Sequence, residues 1–528
     1  MALVKISQKS LMAQSTLSAA QVEPTLTELG IPLDKKEGDE LHLEITPNRP
    51  DWLSVEGVAR SCLSYKTSQA KKYASKKSKI SISVDSSVKA IRPFFAGAYA
   101  TNVRLNGESL QSLIQLQEKL HDTLGRNRKK LAIGIHDAKN IHSPFTYKAV
   151  SPKEISFTAL GDSSPKNCAQ ILSTHEKGKK YSHLVPSKCP IILDKTNQVL
   201  SFPPIINGEL TKVTTSTKEI FIDCTGTHES AVLVAASIIA AALCDLGAQI
   251  HQIQINKKEC EIFQMRKTKF DLTKVNSLLG TDLTLAQAKK HLARMGHILE
   301  GNTVLSPAFR SDIIHPVDLT EDIAISIGYN NFSPQLCDFA TIGKKQEVGA
   351  LHESCLGLGF FEVSSWILTN QKVLENSMVD MGGSIRVKNP LTLDFTTLRP
   401  ALYPNLLEIF SNSKSQPMPQ NLYELGAVIN SKAGVHIQEK HLCLACANPK
   451  SGYAQMNSIL KALSDSLGVQ YSLIQADIDG FIPGRCSKIL IDSKEIGILG
   501  EIHPEVLESF SIEQPVSLFE LDSKYILG

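Results

Sequence analysis

A multidomain α+β protein is what the sequence predicts, on three observations. The chain has 528 residues, several times the roughly 100–200 of a typical domain. Hydrophobic residues make up 42% and charged residues 21%, an ordinary globular composition with apolar material for several cores. Helical and strand-like periodicities alternate along it in changing order, with no internal repeat and no low-complexity tract.

Residues 1–66 form an N-terminal α/β domain. Val22, Leu26 and Leu29 make a helical stripe stopped by Gly30, and Leu41, Leu43 and Ile45 alternate as a half-buried strand. TPNRPD (46–51) follows, with prolines holding the backbone around Asn48 and Arg49. It reads as a rigid strand-to-helix turn, with Asp51 placed to cap the next helix. Residues 67–79, with Lys66 before them, are basic and poor in large apolar side chains. They read as a solvated linker, with contact to a phosphate backbone as the alternative.

Residues 80–262 show an α+β pattern: a strand with Ile80, Ile82 and Val84, a helix over 108–124, and an apolar helix over 231–244. Residues 263–340 read as a winged-helix-like domain: a helix ending at Gly280, a second opened by the capping box of Thr284 with Gln287, two short strands, and a helix over 317–327. In residues 341–528, Met456, Ile459, Leu460, Leu463 and Leu467 make one helical stripe, and GILGEIHPEV (497–506) closes a hairpin leading to a helix.

Charge and cysteine usage narrow the function classes. A net charge of +3 and pI of 8.2 argue against a DNA-coating protein, whose domain pI exceeds about 9; contacts to nucleic acid would come from local patches. The 11 cysteines are scattered, and the start has no charged-then-apolar leader, so reduced thiols in the cytoplasm are expected. The single CxxC, Cys443 to Cys446, has no second pair nearby and reads as a buried strand rather than a zinc site. The apolar run 231–244 is shorter than the about 20 residues of a membrane span.

Three groups of residues carry candidate chemistry. Asp318, Glu321 and Asp322 stand at i, i+3 and i+4, with Asp312 shortly before; such carboxylates suit Mg²⁺, but also complement a helix dipole. Ser201 to Asn207 brackets two prolines that interrupt a strand, and Asp223, Thr225 and Thr227 alternate along another. That cluster can hydrogen-bond a hydroxyl, or be a solvated sheet face. Gln117 and His121 lie one helical turn apart, and His121 and His136 are candidate proton carriers. No serine or cysteine is paired with a base, so a covalent nucleophile is not expected. In residues 341–528, GILGEIHPEVL (497–507) has glycines with no following arginine to hold ATP phosphates, and GLG at 357–359 stands alone.

Taken in order, TPNRPDWLSVEGVAR (46–60), LQEKLHDTLGRNRKKLAIGIHD (116–137), VLSFPPIINGELTKVTTSTKEIFIDCTGT (199–227), RSDIIHPVDLTEDIAISIGY (310–329), NPLTLDFTTLRPALYPNLL (389–407) with YELGAVI (423–429), and FIPGRCSKILIDSKEIGILGEIHPEVL (481–507) resemble the phenylalanyl-tRNA synthetase β-subunit family of archaea and the eukaryotic cytosol. The resemblance covers nearly the whole chain. It implies a tRNA-editing domain at 80–262 that hydrolyses tyrosine wrongly attached to phenylalanine tRNA, with Gln117, His121, Ser201, Asn207, Asp223 and Thr225 in its pocket. It implies a magnesium ion shared with an α subunit at Asp312, Asp318, Glu321 and Asp322. The domain at 341–528 would be a class II synthetase fold without catalytic residues. ATP would be bound by the α subunit, in an α2β2 assembly that acts on phenylalanine tRNA, not on DNA or membranes. His228 departs from the family, which more often has an acid there. A freestanding editing deacylase and a noncatalytic RNA-binding scaffold are the competing readings.

Overall fold

The alternation of Leu41, Leu43 and Ile45 does make a strand. Glu40–Ile45 is the middle of a three-stranded antiparallel sheet, between Ala2–Ser7 and Leu33–Glu37. The computed structural model describes residues 2–334, 336, 343 and 349–526. It divides into two compact units, Met1–Leu336 and Cys337–Gly528; the expected boundary at 340/341 lies outside the described residues.

Within the first unit, Asp51 does not cap the helix Val55–Thr67. Ser54 does, accepting from the Gly57 N–H. Asp51 is instead buried in a fork-to-fork pair with Arg49 (2.9 and 2.8 Å), and Arg49 stacks on Trp52 at 3.5 Å. The competing cap lay three residues on, and a buried arginine took the carboxylate.

The basic stretch is not a free linker. Tyr73 packs against Phe263 and Phe309, with ring centroids 5.5 and 5.7 Å away. Its hydroxyl donates to Asp245 (2.8 Å), and Lys71 pairs with the same carboxylate (2.6 Å). Further on, the Lys76 N–H donates to the Ile250 carbonyl (2.9 Å) and the Lys76 carbonyl accepts from the Gln252 N–H (2.7 Å), so backbone pairing seats the segment too.

Residues 81–259 build two main sheets and a two-stranded one, Ser156–Phe157 with Lys166–Asn167. One main sheet is antiparallel, in the order Gln249–Gln252, Phe94–Thr101, Ile220–Gly226, Leu131–Asp137; the other has seven strands and includes Phe145–Val150, Cys189–Leu193 and Val199–Phe202. The helices Gly107–Asp122 and Glu229–Asp245 pack on the antiparallel sheet. The second is apolar nearly all round because it is buried nearly all round. Phe221, Asp223 and Thr225 face the other way, toward the seven-stranded sheet, where Phe221 meets Phe145 at 4.5 Å. That face is buried, not solvated.

Residues 266–327 hold a three-stranded sheet, two helices (Leu272–Leu279 with Gly280 left-handed after it, and Leu285–Arg294) and a third helix, Pro316–Ile327. The Thr284–Gln287 capping box is present.

The second unit is built on a seven-stranded sheet, antiparallel except for its edge strand Phe361–Glu362, with a small three-stranded sheet of Leu368–Thr369, Thr397–Leu398 and Ile385–Arg386 beside it in sequence. Cys443 and Cys446 lie in the strand Val435–Ala447, one in the core on each face of the sheet. Three residues apart in a strand, they point to opposite sides and cannot share a metal.

Candidate functional site

The strand Leu131–Asp137 is the edge of its sheet, which leaves backbone groups needing partners. Side chains supply them. Gln117 Nε2 donates to the Ile133 carbonyl (2.8 Å), and His121 Nε2 accepts from the Ile133 N–H (2.8 Å). Their spacing of one helical turn lets both reach the same residue. Asn207 Nδ2 approaches the Ile135 carbonyl at 3.5 Å. Three residues expected in a pocket thus line the pocket while closing a sheet edge.

Because His121 Nε2 accepts, its Nδ1 carries the hydrogen. Burial pushes its pKa down, against Glu118 nearby. It is a neutral structural group rather than a proton carrier. Burial opposes the charge of Glu118, yet His121, Arg128 and Lys177 hold its carboxyl well below the usual range.

The predicted break at two prolines is a hairpin: Val199–Phe202 turns at 203–205 into Ile206–Asn207, with Ser201 opposite Asn207. Arg128, with a left-handed backbone (φ 66°), braces that turn. Its Nη1 donates to the carbonyls of Pro204 (3.1 Å) and Ile205 (2.8 Å), and its Nη2 to Glu118. No sequence spacing points to Arg128 or Glu118; the glycine-containing turn GRNR (125–128) is the one local signal.

A cavity of about 290 Å³ opens between helix Gly107–Asp122, the edge strand and the hairpin. Gln117, His121, Ser201, Asn207 and Asp223 line it, with apolar walls from Leu113, Ile114 and Pro203 among others. Thr225 does not line it: it is fully buried beyond Asp223, its carbonyl accepting from Arg92 Nη2 (2.9 Å).

Asp223 contributes a carboxylate to the cavity wall, which Glu118, Arg128, Lys177 and Lys212 also line. Its Oδ2 takes His136 Nε2 at 2.6 Å and Ser201 Oγ at 3.3 Å. A carboxylate only accepts, so the facing His136 Nε2 bears a hydrogen. His136 Nδ1 lies 2.8 Å from Thr211 Oγ1. Among the described residues no hydrogen bond is made to Asp223 Oδ1. Gly134 stands opposite Asp223 in register, and a Cβ there would come within 2.1 Å of the carboxylate. Ser201 touches the aspartate and not the histidine, so it lacks the serine–histidine pairing of an activated nucleophile.

The four carboxylates near 312–322 do not gather. Arg310 lies between Asp312 (2.7 Å) and Asp322 (2.6 Å), and His297 holds Asp322 at 2.6 Å. Burial opposes the charge of Asp322, but Arg310 and His297 keep its carboxyl far below the usual range. Asp318 accepts from the N–H groups of Ile314 (2.7 Å) and His315 (2.6 Å), the return half of a capping box. Glu321 is exposed and accepts from the Tyr329 hydroxyl. Spacing put three acids on one side of a helix; a buried arginine turned one of them inward. Among the described residues the only trio of close potential ligands is Glu37, Glu40 and His42, where Lys35 and Lys5 already pair with the acids. His228 stands before helix Glu229–Asp245 and makes no side-chain cap.

In the second unit, Glu424, Cys443 and Glu520 stand side by side on three neighbouring strands. Arg399 pairs with Glu424 (2.7 Å), and Glu520 accepts from the Leu402 and Tyr403 N–H groups at 2.9 Å. The helix Tyr403–Asn412 packs its Leu406, Leu407 and Phe410 onto this face. The sheet face is filled with side chains.

Three protein-family profiles match the chain in order: the "B3/4 domain" over 92–241, the "tRNA synthetase B5 domain" over 268–329, and the "Phenylalanyl tRNA synthetase beta chain CLM domain" over 343–523. A phenylalanine–tRNA ligase β subunit of Archaeoglobus fulgidus is 37% identical, with 94% of this chain and 93% of that protein covered. Its counterpart in Methanosarcina barkeri is 36% identical over 95% and 94%. The crystal structure of an N-terminal fragment of the phenylalanyl-tRNA synthetase β-subunit from Pyrococcus horikoshii is similar at 33% identity and a TM-score of 0.58, covering 62% of this chain and 99% of the fragment. No helix among the described residues is long and apolar enough to cross a membrane. With relatives at this identity matched almost end to end, the chain belongs to the phenylalanine–tRNA ligase β-subunit family.

Proposed function

We propose that the chain works as the β subunit of a cytoplasmic phenylalanine–tRNA ligase and that the cavity at Asp223 removes tyrosine from mischarged phenylalanine tRNA. The observation that carries the editing reading is the Asp223 carboxylate: Oδ2 is held by His136 and Ser201, while Oδ1 accepts from none of the described residues in a partly apolar cavity. A phenol O–H donates to such an oxygen, and a phenylalanine ring cannot. A synthesis pocket built for phenylalanine rejects an added hydroxyl weakly, whereas a site that hydrogen-bonds the hydroxyl discriminates strongly. Hydrolysis would use water rather than a protein nucleophile, because the Ser201 hydroxyl meets the Asp223 carboxylate at a long 3.3 Å and makes no contact with a histidine.

ATP chemistry is assigned to an α subunit in an α2β2 assembly. Arg399 is already committed to Glu424, and helix Tyr403–Asn412 occupies the sheet face on which Glu520 stands. Magnesium enters in a narrower form. Arg310 neutralises Asp312 and Asp322, so this chain alone supplies no cage, and no step runs through the ion. Asp318 and Glu321 remain for a site shared with a partner. The experiment is co-expression with a candidate α chain bearing a glycine-rich strand followed by arginine: a stable complex that charges phenylalanine is expected, and a chain that stays monomeric and active alone on mischarged tRNA would replace this reading by the freestanding deacylase.

A further inference from the structure

The 337–528 unit has a cleft of about 460 Å³ that the editing reading does not use. Trp366 and Phe395 form an aromatic wall, ring centroids 6.5 Å apart at 69°. Asp394 and Glu408 line the same cleft, and among the described residues no lysine or arginine does. Two further lining residues, Thr369 and Asn405, are 3% and 4% exposed, and their Oγ1 and Oδ1 atoms have no partner among the described residues. Asn405 Nδ2 donates to the Trp366 carbonyl (3.2 Å), which fixes the amide with its oxygen as the free atom. Burial, with Asp394 adding to it, raises the Glu408 carboxyl pKa. The cleft is rich in acceptors and negative charge, and its aromatic wall is open: Trp366 is 77% exposed.

We infer that this cleft receives an arginine or lysine side chain of a partner protein, held between the Trp366 ring, the Asp394 and Glu408 carboxylates and the Asn405 carbonyl oxygen. Aromatic faces and paired carboxylates attract a cation from both sides, and an N–H donor would satisfy the buried oxygen. A protein rather than a free small cation fits because the neighbouring Leu391 and Leu393 are 102% and 85% exposed, apolar surface that a docked chain would cover. The inference rests on the subunit reading for the identity of the partner.

The test is the full-length D394N/E408Q variant, co-expressed with the α chain. Its affinity for that chain should fall about tenfold or more, the loss of charge-assisted hydrogen bonds. The isolated variant should keep or raise its Tm, because a carboxyl with a raised pKa opposes folding at neutral pH. W366A should weaken assembly in the same direction. Unchanged assembly in both variants, or an assembly loss matched by a fall in the isolated chain's Tm, would overturn the inference. If the wild-type chain itself does not assemble, the subunit reading falls and takes this inference with it.

Discussion

His136 and Asp223 meet at 2.6 Å between two sheets, both buried, on neighbouring strands. His136→Ala would leave Asp223 with only the Ser201 hydroxyl. The expected cost is roughly 1.5–3 kcal/mol, the range for a hydrogen bond to a charged group, read as a lower urea midpoint. An unchanged midpoint would mean that water replaces the ring at no cost.

Gly134→Ala probes the same carboxylate without altering any polar group. Its Cβ would lie 2.1 Å from Asp223 Oδ2 and 2.5 Å from His136 Nε2, so the pair must move, at about 1–3 kcal/mol of overpacking. Tyrosyl-tRNA deacylation should drop while association with the α chain persists. Deacylation at the wild-type rate would show that the position of the carboxylate is not critical.

Acidification should destabilise the first unit through His121. Its folded pKa lies below the unfolded value near 6.5, so the unfolded chain binds the proton more readily. The stability contributed is therefore present above about pH 6.5 and is lost as pH falls below it. His251, His291 and His297 are shifted the same way, each first by burial, so the isolating comparison is H121Q, which should flatten part of the Tm slope between about pH 7 and 5. An identical slope would remove His121 as a contributor.

Asp318 and Glu321 separate capping from metal binding. D318A should cost about 1 kcal/mol through the lost capping box. If a shared ion uses the pair, D318N/E321Q should also lower magnesium content and assembly in the α-containing complex. Stability loss with neither of those changes would leave the cap and the helix dipole as the whole role.

Local signals in the sequence were legible where one interaction decides the outcome. Gly280 takes a left-handed φ of 64°, the Thr284–Gln287 box forms, and the run 231–244 is buried apart from Leu233 and Cys244. Asp51, the immediate partners of Asp322 and the seating of residues 67–79 were not legible in local spacing. Each is governed by a residue distant in sequence or a close competitor: Arg49 with Ser54, Arg310 with His297, and Phe263 with Phe309 and Asp245. Five of the six expected pocket residues line one cavity. Thr225 shares the strand face of Asp223 but sits one pleat deeper, and strand alternation does not report depth.

The central claim is tested most directly by tyrosine release from tyrosyl-tRNA specific for phenylalanine, using the assembled complex with wild-type chain and with D223A. Rapid release by the wild type, its loss in D223A, and largely retained phenylalanine charging are predicted. Equal release by both would contradict the placement of the hydroxyl-reading group at Asp223.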